Sequence, residues 1–336
     1  MMKIAVNVLD RLRNLAGRGQ CGVQEPVSPE EQDRLRIEKV DALWSTALPA
    51  EVEKQWSLFP NSHPIVLAET NRRASGDPII DPYFHLYQFL IKTGAELPLT
   101  RTASVCCGAG ALERGLASLG LISACTGYDL ATGALEAARN EAEAAGYNDL
   151  HYERRDLENH GLGLQNLQMV FAHQGLHHIE GLEATLDAIR DSLEIGGYFH
   201  LHEFVGPDRF QWTDQQLQEM TAWLNTVPEH YRRTEEGLIR DRVTRATIEE
   251  MIAADPSEAI RSSAIEPLVE ERFEIVERRA LGMTFLSALA GIAHNFSPDD
   301  PEAVSHLMRL LDREAELIEA GTLASDFVTI LARRVS

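Results

Sequence analysis

The residues best suited to chemistry stand in one short run, Val105-Cys106-Cys107-Gly108-Ala109-Gly110-Ala111-Leu112-Glu113. The apolar run at 102–106 reads as a strand and Ala111–Leu119 as a helix, so the glycines fall in the turn between them. Such a turn lets a ligand approach the backbone closely, beside a helix N-terminus. Asp129 ends the next apolar run, 19 residues after Gly110. An acid at about that interval reaches the ribose hydroxyls of a bound nucleoside.

The neighbours of the turn narrow the choice of nucleoside. A phosphate-binding loop of the triphosphatase type carries a lysine that is missing here. A dinucleotide turn wants a third glycine or alanine where this chain has Glu113, and a carboxylate there opposes a pyrophosphate. S-adenosylmethionine carries no phosphate, and its sulfonium and ammonium are positive, so an acidic helix start such as Glu113 suits it. Charge therefore favours a methyl donor over NAD.

A second group of reactive side chains gathers around the ends of two later strands: His173, His177, His178, His200, His202 and Glu203. Imidazole and carboxylate ligate divalent ions, but the spacing matches no recognised ligand motif, and no metal is assigned. Methyl transfer requires an acceptor held in line with the sulfonium and a base for the acceptor's proton. Open α/β sheets present their ligands at the carboxyl ends of the strands. Glu203 and His178 stand at such ends and are the expected catalytic groups, with His173 close enough to touch the cofactor as well. A supporting hydrogen bond is the alternative role for each. His200 and His202 alternate with Phe199 and Leu201, so both face one side of the sheet and pack under a helix. Cys106 and Cys107 read as small packing residues, since no positive neighbour stands ready to activate a thiol.

These groups need a frame. Apolar runs at 102–106, 122–128, 150–155, 167–172 and 197–204 alternate with helical segments at Ala111–Leu119, Thr132–Ala145 and Leu182–Leu193. That alternation predicts an α/β, Rossmann-like, doubly wound sheet with helices on both faces. Phe273–Arg279 and Asp326–Arg333 add a sixth and a seventh strand. Residues 1–100 read as a helical N-terminal segment, with helices from Ser28 to about Thr46 and near 62–73 and 81–93. Residues 101–336 form the main domain, with cap insertions at about 205–272 and 282–322. Within them, helices are expected from the Thr213 cap to about Thr226 and near 247–253, 257–270, 284–294 and 301–320. Residues 3–16 make a basic amphipathic helix that docks on its own domain or a second subunit, with a membrane surface as the other option. Gly17 to Pro29 is a linker.

Composition bounds the function. The chain has 336 residues, 31 Lys plus Arg against 52 Asp plus Glu, and a formal charge of −21. So acidic a protein repels a phosphate backbone, which argues against nucleic acid as its partner. The longest near-apolar stretch, Leu281 to Asn295, is too short and too polar to span a bilayer. With four cysteines, none paired at the spacing of a zinc or redox motif, and no secretory signal, a soluble, cytoplasmic protein with free thiols is expected.

The stretch 104–204 resembles the class I S-adenosylmethionine-dependent methyltransferases. Their glycine turn matches Cys106-Cys107-Gly108-Ala109-Gly110, their ribose acid matches Asp129 beside Leu130, and their adenine-contacting acid matches Asp156 beside Leu157. Their fourth-strand motif matches the run from Val170 to Ile179. Two positions depart: Cys106 replaces the first glycine, and Ser104 replaces an acid often found near the end of the first strand. The resemblance implies S-adenosylmethionine as cofactor, bound by Cys106, Gly108, Gly110, Glu113, Asp129, Leu130, Asp156, Leu157 and His173. Asn71-Arg72-Arg73 and the Glu203–Asp214 region look like a bacterial subfamily associated with glycans or small metabolites. Arg73, from that resemblance, and Arg209 with Trp212, where an aromatic plane beside an arginine suits a sugar or another ring, are the acceptor-binding residues expected. The expected activity is methylation of an oxygen or nitrogen in a small molecule or glycan. Protein methylation and non-catalytic binding of the cofactor are the rivals.

Overall fold

The computed structural model describes residues 29–45 and 60–336. A seven-stranded sheet forms its centre, in the order β3-β2-β1-β4-β5-β7-β6. The strands are β1 (Thr102–Val105), β2 (Cys125–Asp129), β3 (Leu150–Arg154), β4 (Leu167–His173), β5 (Leu193–Phe204), β6 (Glu274–Gly282) and β7 (Phe327–Arg333). The first five run parallel, and β7 enters antiparallel between β5 and β6. The chain winds outward from β1 to β3, then returns to start β4 on the other side of β1. That reversal opens a crevice at the carboxyl ends of β1 and β4, where open α/β sheets bind their ligands.

Among the described residues the longer helices are α1 (Pro29–Trp44), α2 (Pro64–Ser75), α3 (Pro82–Lys92), α4 (Ala111–Ser118), α5 (Thr132–Ala144), α6 (Leu157–His160), α7 (Leu182–Ser192), α8 (Asp214–Leu224), α9 (Ile248–Ala254), α10 (Ser262–Arg272) and α11 (Pro301–Glu319). Their starts follow from local chemistry. Thr213 with Gln216, and Thr247 with Glu250, form reciprocal capping boxes before α8 and α9. Asp81 caps α3 by accepting from the Tyr83 and Phe84 amides.

Both faces of the sheet are covered. Leu86 and Leu90 of α3, Leu116 of α4 and Leu135 of α5 pack with Met169 and Phe171 on one side. Leu186 and Ile189 of α7 and Ile265 and Val269 of α10 pack with Val170, Phe199 and Leu201 on the other. Burying each helix stripe against a strand face is the main stabilising term in this layering. A further apolar cluster joins Val66 and Ala74 of α2 to Leu224 of α8 and Leu307 and Leu310 of α11.

Helix α1 spans two regions that matter for the site. Its Asp41 carboxylate accepts from the Thr132 amide at 2.7 Å, and the Ser45 hydroxyl accepts from the Gly133 amide at 2.9 Å. These bonds satisfy the start of α5, which has no side-chain cap of its own. A β-carbon on Gly133 would stand 2.4 Å from the Ser45 carbonyl, so glycine is what lets the segments meet. On its other side, Lys39 donates to the Ala253 carbonyl of α9 at 2.9 Å.

Two expected helices differ. The segment 284–294 forms two short 3₁₀ turns, Leu286–Leu289 and Ala293–Asn295. Gly291, at φ 72°, breaks the backbone between them, and with residues buried on every side there is no amphipathic stripe to favour a helix. The helix expected over 257–270 begins only at Ser262, because Ala259 takes φ 47° and residues 255–261 turn inward as a loop. The amphipathic helix expected over 3–16 lies outside the described residues, as does nearly all of the linker after it.

Candidate active site

The turn after β1 is wound by left-handed residues at alternate positions: Cys106 at φ 54°, Gly108 at φ 52° and Gly110 at φ 71°. At Gly110 a β-carbon would lie 2.5 Å from the Tyr152 hydroxyl, so both backbone angle and space demand glycine. Over Gly108 the space is open, with no atom within 4 Å of where a β-carbon would be. Cys106 holds a left-handed conformation that glycine adopts freely, at a cost of about 1–2 kcal/mol. Burial pushes its thiol pKa well up, so it stays a neutral packing group.

Asp129, at the end of β2, ties this turn in place. Its carboxylate accepts from the Gly108 amide at 2.8 Å and from the Ala131 amide at 2.9 Å. Each oxygen keeps further lone-pair capacity, and the half-buried residue borders the open space at Gly108. A ribose diol, donating both hydroxyl protons, fits that pair of acceptors. Asp156 caps α6, accepting from the Glu158 amide at 3.1 Å and the Asn159 side chain at 2.7 Å. Leu130 is half-buried and Leu157 buried beside these two acids.

Glu113 departs from its expected place at the mouth of the turn. It is fully buried on the inner stripe of α4 with Leu116, and its carboxylate is bonded to the Ser104 hydroxyl. The i, i+3 spacing of Glu113 and Leu116 turns it toward the sheet. One oxygen, Oε2, has no hydrogen-bond partner. Burial pushes the Glu113 pKa up to about 7, with the Ser104 bond opposing.

The histidines divide into two groups on opposite faces of the sheet. His173, His200 and His202 point toward α3, where the Tyr83 hydroxyl bonds His173 Nδ1 at 2.5 Å. The Tyr83 ring lies 5.3 Å from His200, and His173 lies 4.8 Å from His202. Burial holds all three imidazoles below the usual histidine range, so they are neutral at pH 7. Thr329 bonds His200 Nε2, whereas neither nitrogen of His202 has a partner.

The other group surrounds Glu203. This fully buried carboxylate accepts from the Gly175 and Leu176 amides, both at 2.8 Å, from the Phe204 amide at 2.7 Å and from His177 Nδ1 at 2.5 Å. With four donors on it, Glu203 is engaged in holding the loop after β4 rather than turned to an acceptor, which revises its expected catalytic placement. Glu258, from the 255–261 loop, lies 3.4 Å from His177 Nε2 without the alignment of a hydrogen bond. Burial pulls the His177 pKa down, but the Glu203 and Glu258 carboxylates outweigh it and raise it to about 10. Burial likewise works to raise Glu258, and the neighbouring imidazoles bring it down to about 2. His178 Nδ1 meets the Ser257 hydroxyl at 3.2 Å, and that hydroxyl donates to Asp255 at 2.6 Å.

The three expected acceptor-binding residues are each engaged elsewhere. Arg73 bonds Glu69 at 2.7 Å and faces the buried Glu314 at 3.4 Å, an ion pair that joins α2 to α11. Arg209 sits at φ 53° and donates to the Glu258 carbonyl at 2.9 Å. Trp212 stacks on Phe210, with ring centroids 5.5 Å apart. Of the three, Arg209 alone joins the histidine–carboxylate group. Tyr83, Asp255 and Glu258 were not singled out from sequence; they reach the site from segments whose distance along the chain gives no sign of contact.

Residues 103–197 match the sequence model of a family described as a methyltransferase domain. The matched span holds the glycine turn, Asp129, Asp156 and the loop after β4. Residues 103–197 therefore carry a methyltransferase domain. No curated protein matches the chain. Among solved structures, it is similar to geranyl diphosphate C-methyltransferase from Streptomyces coelicolor A3(2), solved with Mg2+, geranyl diphosphate and S-adenosyl-L-homocysteine. That match has 12% identity and a TM-score of 0.51 over 93% of this chain and 100% of the other. A structure of geranyl diphosphate methyltransferase with GPP and sinefungin matches at 12% identity and a TM-score of 0.52, over 90% of this chain and 100% of that one. At such identity the likeness fixes the fold. No helix among the described residues of this methyltransferase is long and apolar enough to cross a membrane.

Proposed function

We propose that this methyltransferase acts on an oxygen or nitrogen of a small molecule, with S-adenosylmethionine held by Gly108, Gly110, Asp129, Leu130, Asp156 and Leu157. The observation that carries the reading is the Asp129 carboxylate, half-buried beside open space and locked to the Gly108 amide at 2.8 Å. When bound, the cofactor supplies an electrophilic methyl on a sulfonium. The chain's own part is to hold the nucleoside at β2 and β3 and the acceptor at the ends of β4 and β5. His173, neutral and oriented by Tyr83, is the group we assign to accept the acceptor's proton. The loops after β5, joined to α1 through Lys39, would cover the site and exclude water, which suits a small acceptor better than a protein surface.

The test is calorimetric titration of the purified chain with S-adenosylmethionine and S-adenosylhomocysteine, repeated on Asp129→Ala. Micromolar binding, about −8 kcal/mol, that falls at least about 30-fold in the variant is the expected result. A folded chain that binds neither ligand would refute the cofactor assignment. Equal affinity in Asp129→Ala would move the site away from β2.

A further inference from the structure

We propose that His177, His178 and Glu258 form a binding site for a divalent transition-metal ion at the carboxyl ends of β4 and β5. One ligand atom from each of the three lies within 4.8 Å of the others. Ligands at about 2.0–2.2 Å from one tetrahedral ion stand about 3.4 Å apart, so side-chain movement of up to about 1.4 Å seats the ion. Glu258 is 1% exposed, and both its carboxylate oxygens lack a hydrogen-bond partner, as do His177 Nε2 and Asp255 Oδ2. A buried carboxylate without donors is costly unless a cation meets it. Arg209, the adjacent guanidinium, donates to the Glu258 main chain instead.

The surrounding hydrogen bonds orient both imidazoles as metal ligands. Glu203 can only accept from His177 Nδ1, which leaves Nε2 directed at Glu258. Ser257 gives its proton to Asp255, so it accepts from His178 Nδ1, and Nε2 carries that ring's lone pair. A carboxylate behind a ligating histidine fixes its tautomer and raises its basicity. Glu203 does this directly, and Asp255 does it through Ser257. Two imidazoles with one carboxylate favour Zn2+ or a neighbouring transition ion over Mg2+ or Ca2+, which prefer oxygen ligands. The sequence offers no spacing motif for such a site because Glu258 arrives from the separate 255–261 loop. Beside Arg209, the ion would anchor an anionic or hydroxyl-bearing acceptor; that use rests on the proposed function, whereas the ion's binding does not.

The competing occupant is a proton, with His177 as an imidazolium between Glu203 and Glu258. The full chain, stripped with EDTA, is titrated calorimetrically with Zn2+, Mn2+ and Mg2+, alongside Glu258→Gln, His178→Ala and Asp255→Asn, with circular dichroism to verify folding. The expected result is one Zn2+ per chain, with Mn2+ weaker and Mg2+ at least about 100-fold weaker than Zn2+. Both ligand variants should lose about 100-fold or more in affinity, and Asp255→Asn about 10-fold. No uptake by the folded chain, or uptake unchanged in both ligand variants, overturns the site. So does nitrogen NMR showing His177 protonated on both nitrogens at saturating metal. S-adenosylmethionine titrated into the same stripped chain reports on the methyltransferase reading separately.

Discussion

Glu113→Gln should make the cofactor-free chain more stable at alkaline pH, because it replaces a buried carboxyl whose ionisation the fold resists. In the unfolded chain this group releases its proton near 4.5, and in the folded chain near 7. Between those values the folded state binds more protons than the unfolded one, so stability falls as pH rises and the loss is complete above about pH 7. A difference of about 2.5 pKa units corresponds to about 3 kcal/mol. Glutamine keeps the shape and a hydrogen-bonding partner for Ser104 but cannot ionise. Urea unfolding at pH 5 and pH 8 tests this without cofactor, whose positive charge would favour the carboxylate. The advantage of Glu113→Gln over wild type should grow by about 2–3 kcal/mol between pH 5 and pH 8. If the two proteins show the same pH dependence, or the variant is the weaker at pH 8, the inward placement of Glu113 is wrong.

Gly110→Ala forces a β-carbon against the Tyr152 hydroxyl in a left-handed backbone. It should cost about 1–3 kcal/mol and weaken S-adenosylmethionine at least about 10-fold, read by thermal melts and calorimetry. Arg73→Ala removes the guanidinium from Glu314, which is 1% exposed. Urea unfolding should lose about 3 kcal/mol; unchanged stability together with a raised KM for the acceptor would restore Arg73 to acceptor binding.

Several features were legible because they are local. The strand starting at Thr102, the glycine turn and the helix starting at Ala111 follow from alternation, breakers and helical spacing. The Thr213–Gln216 capping box could be read three residues apart and is present. The alternation of His200 and His202 also told correctly that they share a face, now seen under Tyr83 of α3.

What the sequence by itself determined, then, was the α/β succession and the position of the turn with its acid, because strand and helix periodicities are written within a few residues. Which side chains meet was decided only by the tertiary structure. Strand alternation sends His173 and His202 to one face and Glu203 to the other, although His202 and Glu203 are neighbours in the chain. Glu113 turns inward because α4 lies down on β1, and Arg73 is taken by Glu314 because α2 packs on α11. Glu258 reaches His177 only because the 255–261 loop folds back over the ends of β4 and β5. Contacts of this kind depend on how long crossovers return to the sheet, and no local period along the chain records that path.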